Sequence, residues 1–125
     1  MSAHLVWIDL EMTGLNLEHD RIIEMATVIT DGDLNVIAEG PVLAIRQEQA
    51  FLDGMDEWNQ THHSASGLLG RIAREGVAEI EAEARTLAFI EDHVAPNSAP
   101  LCGNTIWQDR RFLSRYMKTL EGYLH

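Results

Sequence analysis

Leu5-Val6-Trp7-Ile8-Asp9-Leu10-Glu11-Met12 is the stretch on which the fold turns. It is too uniformly apolar for a half-exposed strand and too short for a helix, which predicts a strand buried on both faces and central in its sheet. Working outward, residues 21–30 (Arg-Ile-Ile-Glu-Met-Ala-Thr-Val-Ile-Thr) predict a second strand. Asp31-Gly32-Asp33 predicts a tight turn, and residues 34–45 a third strand interrupted near Gly40-Pro41. The three make an antiparallel meander. Residues 46–69 are irregular, with scattered Asp, Gly, His and Ser, and predict a long loop or small helices.

Between Arg74 and Val94, the residues Val77, Ile80, Ala84, Leu87, Ala88 and Glu91 recur at helical spacing until Pro96-Asn97-Ser98 breaks the pattern. Residues 99–102 then read as a short buried strand and Gly103-Asn104 as a turn, with Asn104 an N-cap for a second helix from Ile106 to about Leu120. Strands followed by helix, strand and helix predict an α/β layered domain.

The composition limits what such a domain can do. A chain of 125 residues with 46% apolar residues is one domain with material for a real core. No stretch approaches the roughly 18 uncharged apolar residues of a membrane span, and the N-terminus lacks the basic-then-apolar order of a secretory signal. The expectation is a soluble chain in the cytoplasm. Cys102 is the single cysteine, has no internal disulfide partner, and sits in an apolar run that reads as a buried, inert thiol. Twenty Asp and Glu against nine Lys and Arg give a formal charge of −11, which argues against gripping long nucleic acid through its phosphates. A polyanionic substrate would have to be short or held by metal.

Asp9 and Glu11 are two residues apart on a strand, so their carboxylates leave the same face. Two like charges sharing an apolar site repel and lose solvation unless a cation neutralises them, and oxygen ligands favour Mg²⁺ or Mn²⁺ over zinc. An acidic pair also occurs at solvated, frayed strand ends, so the spacing alone leaves both readings open. On the second predicted helix, Asp109 lies within an inward stripe of Ile106, Leu113, Met117 and Leu120. Arg110 and Arg111 could pair with it, but they point about 100 and 200 degrees away at 3.6 residues per turn. Ligands of α/β folds gather at the carboxyl ends of strands, which would let the three carboxylates converge.

The string Trp7-Ile8-Asp9-Leu10-Glu11-Met12-Thr13-Gly14-Leu15 resembles the first exonuclease motif of the DEDD superfamily, in the form typical of oligoribonucleases. Cys102-Gly103-Asn104-Thr105-Ile106-Trp107-Gln108-Asp109-Arg110-Arg111-Phe112-Leu113 resembles the second motif, with Arg21-Ile22-Ile23-Glu24 between them. The resemblance implies an RNase H-like exonuclease fold, a mixed central sheet of an antiparallel meander plus a parallel strand flanked by helices. It implies a 3′→5′ exoribonuclease that removes 5′-mononucleotides from very short single-stranded RNAs, dinucleotides above all. Asp9, Glu11 and Asp109 would help hold two Mg²⁺ or Mn²⁺ ions. It further implies that Leu15 wedges between two substrate bases, that Trp58 and His63 flank the substrate pocket, that Thr105 helps hold the terminal phosphate, and that the protein is a homodimer. Leu15 could instead be ordinary packing, Trp58 a core aromatic, and Thr105 first-turn helix chemistry. Trp107 departs from the family pattern, which carries smaller or polar residues there.

The superfamily also uses a general-base histidine and a fourth carboxylate in a His-x-x-x-x-Asp pattern downstream of the second motif, and the sequence stops at His125 before reaching one. His4 and Asp9 match that spacing by accident, since Asp9 belongs to the first motif. The expectation is a single exonuclease domain over 1–125 lacking its C-terminal portion and nearly inactive alone. The tail 121–125 would close no element, and the missing part would cover the side of the second helix bearing Phe112, Tyr116 and Tyr123. Two other readings are a non-catalytic nucleotide-binding module and a DNA 3′→5′ exonuclease of the same superfamily.

Overall fold

The computed structural model describes residues 4–103 and 106–124. Strands β1 (His4–Met12), β2 (Ile22–Asp31) and β3 (Val36–Ala44) form the expected antiparallel meander. The short strand β4 (Leu101–Cys102) pairs in parallel with β1, giving the order β3-β2-β1-β4. β1 is thus central, as its apolar run predicts. It is not buried on both faces: Val6, Ile8, Leu10 and Met12 are buried, whereas Leu5, Trp7 and Glu11 are half-buried and Asp9 is exposed. The odd-numbered face therefore opens toward its carboxyl end.

β3 is the edge strand, which is where a proline costs no ladder hydrogen bond. It runs continuously through Gly40-Pro41 rather than being interrupted, with the local irregularity taken up as register shifts against β2. A Cβ at Gly40 would stand 2.6 Å from the Phe89 ring, so glycine there lets the next layer approach the sheet. The β2–β3 connection extends beyond the expected Asp31-Gly32-Asp33 turn, with Leu34 at φ 68°. Asp31 organises it, its carboxylate accepting from the backbone N–H groups of Asp33 and Asn35, each at 2.9 Å. The Asn35 bonds hold the Asp31 carboxyl below its ordinary range.

The irregular segment resolves into the small helices α1 (Gln49–Asp53), α2 (Glu57–Ala65) and α3 (Leu68–Glu75). Asp56 caps α2 by accepting from Asn59 N–H at 2.8 Å, and Gly67, at φ 82°, turns the chain into α3. A cluster of Ile23, Ala44, Met55, Leu68 and Ile72 seats these helices against the start of β2 and the end of β3.

Helix α4 (Glu79–Glu91) begins later than its periodicity suggests, because Val77 forms a parallel bridge with Ile45. Counting from Val77 therefore set the wrong face. The buried stripe is Ala82, Thr86 and Ile90, while Ile80 is 77% exposed.

The second helix is two: α5 (Ile106–Tyr116) and α6 (Lys118–Tyr123). Met117, fully buried at φ −135°, makes the break, and Glu83 of α4 accepts from Leu120 N–H at 3.0 Å. Residues 118–123 thus do close an element. Phe112 is completely buried rather than on an uncovered side, and the half-buried Tyr116 and Tyr123 donate their hydroxyls to Leu17 O and Val94 O. The core joins Val6, Ile8 and Leu10 of β1 to Ala82, Ile90, Phe112, Leu113 and Leu120. No helix among the described residues is long and apolar enough to cross a membrane.

Candidate active site

The open face of β1 forms one wall of a cleft of about 880 Å³, lined by Asp9, Glu11, Thr13, Leu15, Asn16, Asp20, Asp56, Trp58, Asn59 and His62 among others. The strand fixes Asp9 and Glu11 on one face, and the alternation that buries Ile8 and Leu10 turns both carboxylates toward the cleft.

What surrounds the carboxylates is informative. Glu24 lies directly across from Glu11 in the β1–β2 register, and like charges so placed repel. Glu24 is neutralised by an ion pair with Arg71 of α3, and the hydrogen bond to Glu24 holds the Arg71 guanidinium above its ordinary range. Asp20 accepts from Thr13 Oγ1 and from Asn16 N–H, both at 2.8 Å. Among the described residues, Asp9 and Glu11 have no such hydrogen-bond or ion-pair partner.

Asp109 lies in the first turns of α5 and is fully buried. A Cβ at Gly103 would stand 2.9 Å from Ile8 O and 3.6 Å from Asp109 Oδ2. Gly103 thus lets the chain leaving β4 press against β1 one residue before Asp9, and sets the Asp109 carboxylate beside that junction. Asp109 is behind the cleft wall, not among its lining residues. The two cleft carboxylates are oxygen donors of the kind a hard divalent cation takes, whereas among the described residues Asp109 does not fall into one cation-sized cluster with them.

Leu15 is 62% exposed yet tightly placed. Its loop is pinned by the Asp20 bonds to Thr13 and Asn16 and by Thr13 N–H donating to Arg21 O at 2.9 Å, and Gly14 packs directly on the Asp20 carboxylate. The fastened loop thus holds an exposed apolar side chain at the cleft. Trp58 is 67% exposed, which removes the core-aromatic reading, and it stacks on His62 with ring centroids 4.7 Å apart and planes 12° from parallel.

His63 is only 1% exposed, with Nε2 bonded to Met12 O at 3.0 Å, and its neighbour His62 is among the residues that line the cleft. Thr105 and Asn104 lie outside the described residues. Cys102 is half-buried rather than buried, and desolvation pushes its thiol up from the ordinary value. Trp107 is 67% exposed beneath the Arg111 guanidinium, 4.8 Å from its ring centroid, and is not among the residues lining the cleft.

Sequence reasoning missed Asp20, His62 and the Glu24–Arg71 pair. Asp20 had a legible signal in the Thr-Gly and Asn that precede it, which favour side-chain-capped turns. The ion pair spans 47 residues and had none.

A family model described as Exonuclease matches residues 6–125. The oligoribonuclease of Alcanivorax borkumensis is 58% identical over 122 residues, covering 98% of this chain and 67% of that protein. The oligoribonuclease of Pseudomonas aeruginosa is 59% identical, covering 98% and 68%. The chain belongs to the oligoribonuclease family of exonucleases. It is therefore a phosphodiester-cleaving hydrolase, spanning about two thirds of the length of these oligoribonucleases. Among solved structures, E. coli exonuclease I in complex with a dT13 oligonucleotide matches with a TM-score of 0.68 at 20% identity, over 88% of this chain and 22% of that one. At that identity the likeness concerns the fold alone, and the fold is the RNase H-like exonuclease fold expected from the two motifs.

Proposed function

We propose that this oligoribonuclease-family protein is a 3′→5′ exoribonuclease acting on very short single-stranded RNA, dinucleotides above all, with two Mg²⁺ or Mn²⁺ ions. The observation that carries the reading is that two carboxylates without partners among the described residues, Asp9 and Glu11, face the same cleft as the exposed Leu15 and Trp58. Asp9, Glu11 and Asp109 would hold the cations. When bound, the ions activate the attacking water and stabilise the leaving 3′ oxygen.

The remaining residues bind and orient. Leu15 separates the two terminal bases, and Trp58 offers a flat face to one of them. Buried His63 supports the wall of the pocket through Met12 O, and Thr105 serves the terminal phosphate. The charge of −11 suits a substrate with few phosphates, whose affinity comes from metal, stacking and shape rather than counterion release. The homodimer and cytoplasmic location of the family reading belong to the same proposal.

Leu15→Ala tests it. In a chain of the relatives' length, the substitution should lower kcat/KM for a labelled RNA dinucleotide with Mn²⁺ by about 10- to 100-fold, because a base-stacking contact is worth about 1–3 kcal/mol. The melting temperature should stay put, since a side chain 62% exposed contributes little to packing. A lower melting temperature at unchanged turnover would make Leu15 a packing residue. Faster cleavage of the deoxy dinucleotide would favour a DNA exonuclease, and nucleotide binding without cleavage a non-catalytic module.

A further inference from the structure

We propose that Glu11, His62 and His63 form a second cation site of different donor chemistry, one that takes Zn²⁺ or a similar borderline divalent ion. A carboxylate oxygen of Glu11 and one ring nitrogen of each histidine all lie within 4.8 Å of one another. Ligands held about 2.0–2.2 Å from one tetrahedral zinc ion sit about 3.4 Å apart, so the three groups draw together on binding. Two imidazoles and a carboxylate are a set zinc accepts with water in the fourth position. The same set is poor for Mg²⁺, which prefers oxygen ligands and near-ideal octahedral geometry.

Two further observations show that the imidazoles are prepared. His63 is 1% exposed, and its Nε2 lies 3.0 Å from Met12 O. A carbonyl only accepts, so Nε2 is the donor and Nδ1 is the ring nitrogen left to ligate. A backbone carbonyl fixing the tautomer and plane of a ligating histidine is the usual outer-shell arrangement at metal sites. His62 is held in plane by its stack on Trp58. Helix α2, capped by Asp56, carries both rings, while Glu11 comes from β1.

Glu11 is common to this site and to the proposed Mg²⁺ or Mn²⁺ site, so zinc would withdraw a carboxylate from that site and inhibit cleavage. That consequence rests on the proposed function; zinc binding does not.

The test is calorimetric titration of Zn²⁺ into the full chain in excess Mg²⁺, beside Mn²⁺ titrations, on wild type, His62→Ala and Asp9→Asn. His62 is exposed, so its removal does not threaten the fold. One Zn²⁺ per chain is expected, with His62→Ala weakening it at least about tenfold while Mn²⁺ affinity changes by less than about twofold. Co²⁺ in place of Zn²⁺ should give a visible absorption band in the wild type that His62→Ala loses. Unchanged Zn²⁺ affinity in His62→Ala, or equal loss of Zn²⁺ and Mn²⁺ in Asp9→Asn, would overturn the proposal. Unchanged Mn²⁺ affinity in Asp9→Asn, with Zn²⁺ still weakened by His62→Ala, would sink the carboxylate-site reading and leave this one standing.

Discussion

Asp109→Asn should lower Mn²⁺-dependent cleavage of an RNA dinucleotide by about 10²- to 10³-fold in a chain of the relatives' length, the usual cost of losing one preorganised electrostatic group. Asn has the same shape, so the buried volume beneath Gly103 and β1 is kept and only the charge goes. The side chain is fully buried and Asn keeps its shape and hydrogen-bonding capacity, so the thermal midpoint should change little. Single-turnover cleavage and thermal unfolding of the same preparation check both halves. Full turnover in the mutant would remove Asp109 from the site, and a fall in both quantities would make it a structural acid.

Phe112→Ala should cost about 3–5 kcal/mol of stability, because a fully buried aromatic leaves a cavity that its neighbours fill only in part. Phe112 packs in the main cluster with residues of β1, α4 and α6, so the loss is global rather than a fraying of α5. Equilibrium urea unfolding should show a lower midpoint at unchanged slope. Trp107→Ala is the contrast: the residue is larger but 67% exposed, and its removal should change stability by less than about 0.5 kcal/mol. Equal effects from the two would contradict the inward direction assigned to this face of α5.

Much of this was legible in the residues. The apolar run around Asp9 and Glu11 placed a central strand and two carboxylates on one face, because the alternation of a strand is rigid. Asp109 stood out because a charged residue in an apolar stripe needs a reason. The failures have equally specific causes. Helices α1, α2 and α3 are too short for their periodicity to emerge, and Gly54 and Gly67 punctuate them. Reading α4 from Val77 rotated its face, since Val77 belongs to a bridge with Ile45 fixed by tertiary pairing. His62 and His63 differ by one helical step of about 100 degrees, enough to send one ring to the cleft and the other behind it, and sequence spacing does not say which. The continuous helix expected through Met117 fails for a similar reason, because α6 takes its capping from Glu83 on another element.

The central claim is that Asp9 and Glu11 have no hydrogen-bond or ion-pair partner among the described residues because a divalent cation is their partner. Calorimetric titration of Mn²⁺ into metal-stripped protein tests it most directly, comparing wild type with Asp9→Asn. Asp9 is exposed at the cleft, so the substitution changes the site without disturbing the core. Binding in the micromolar-to-millimolar range, clearly weakened in the mutant, is the predicted result. Equal Mn²⁺ binding by both proteins would contradict it.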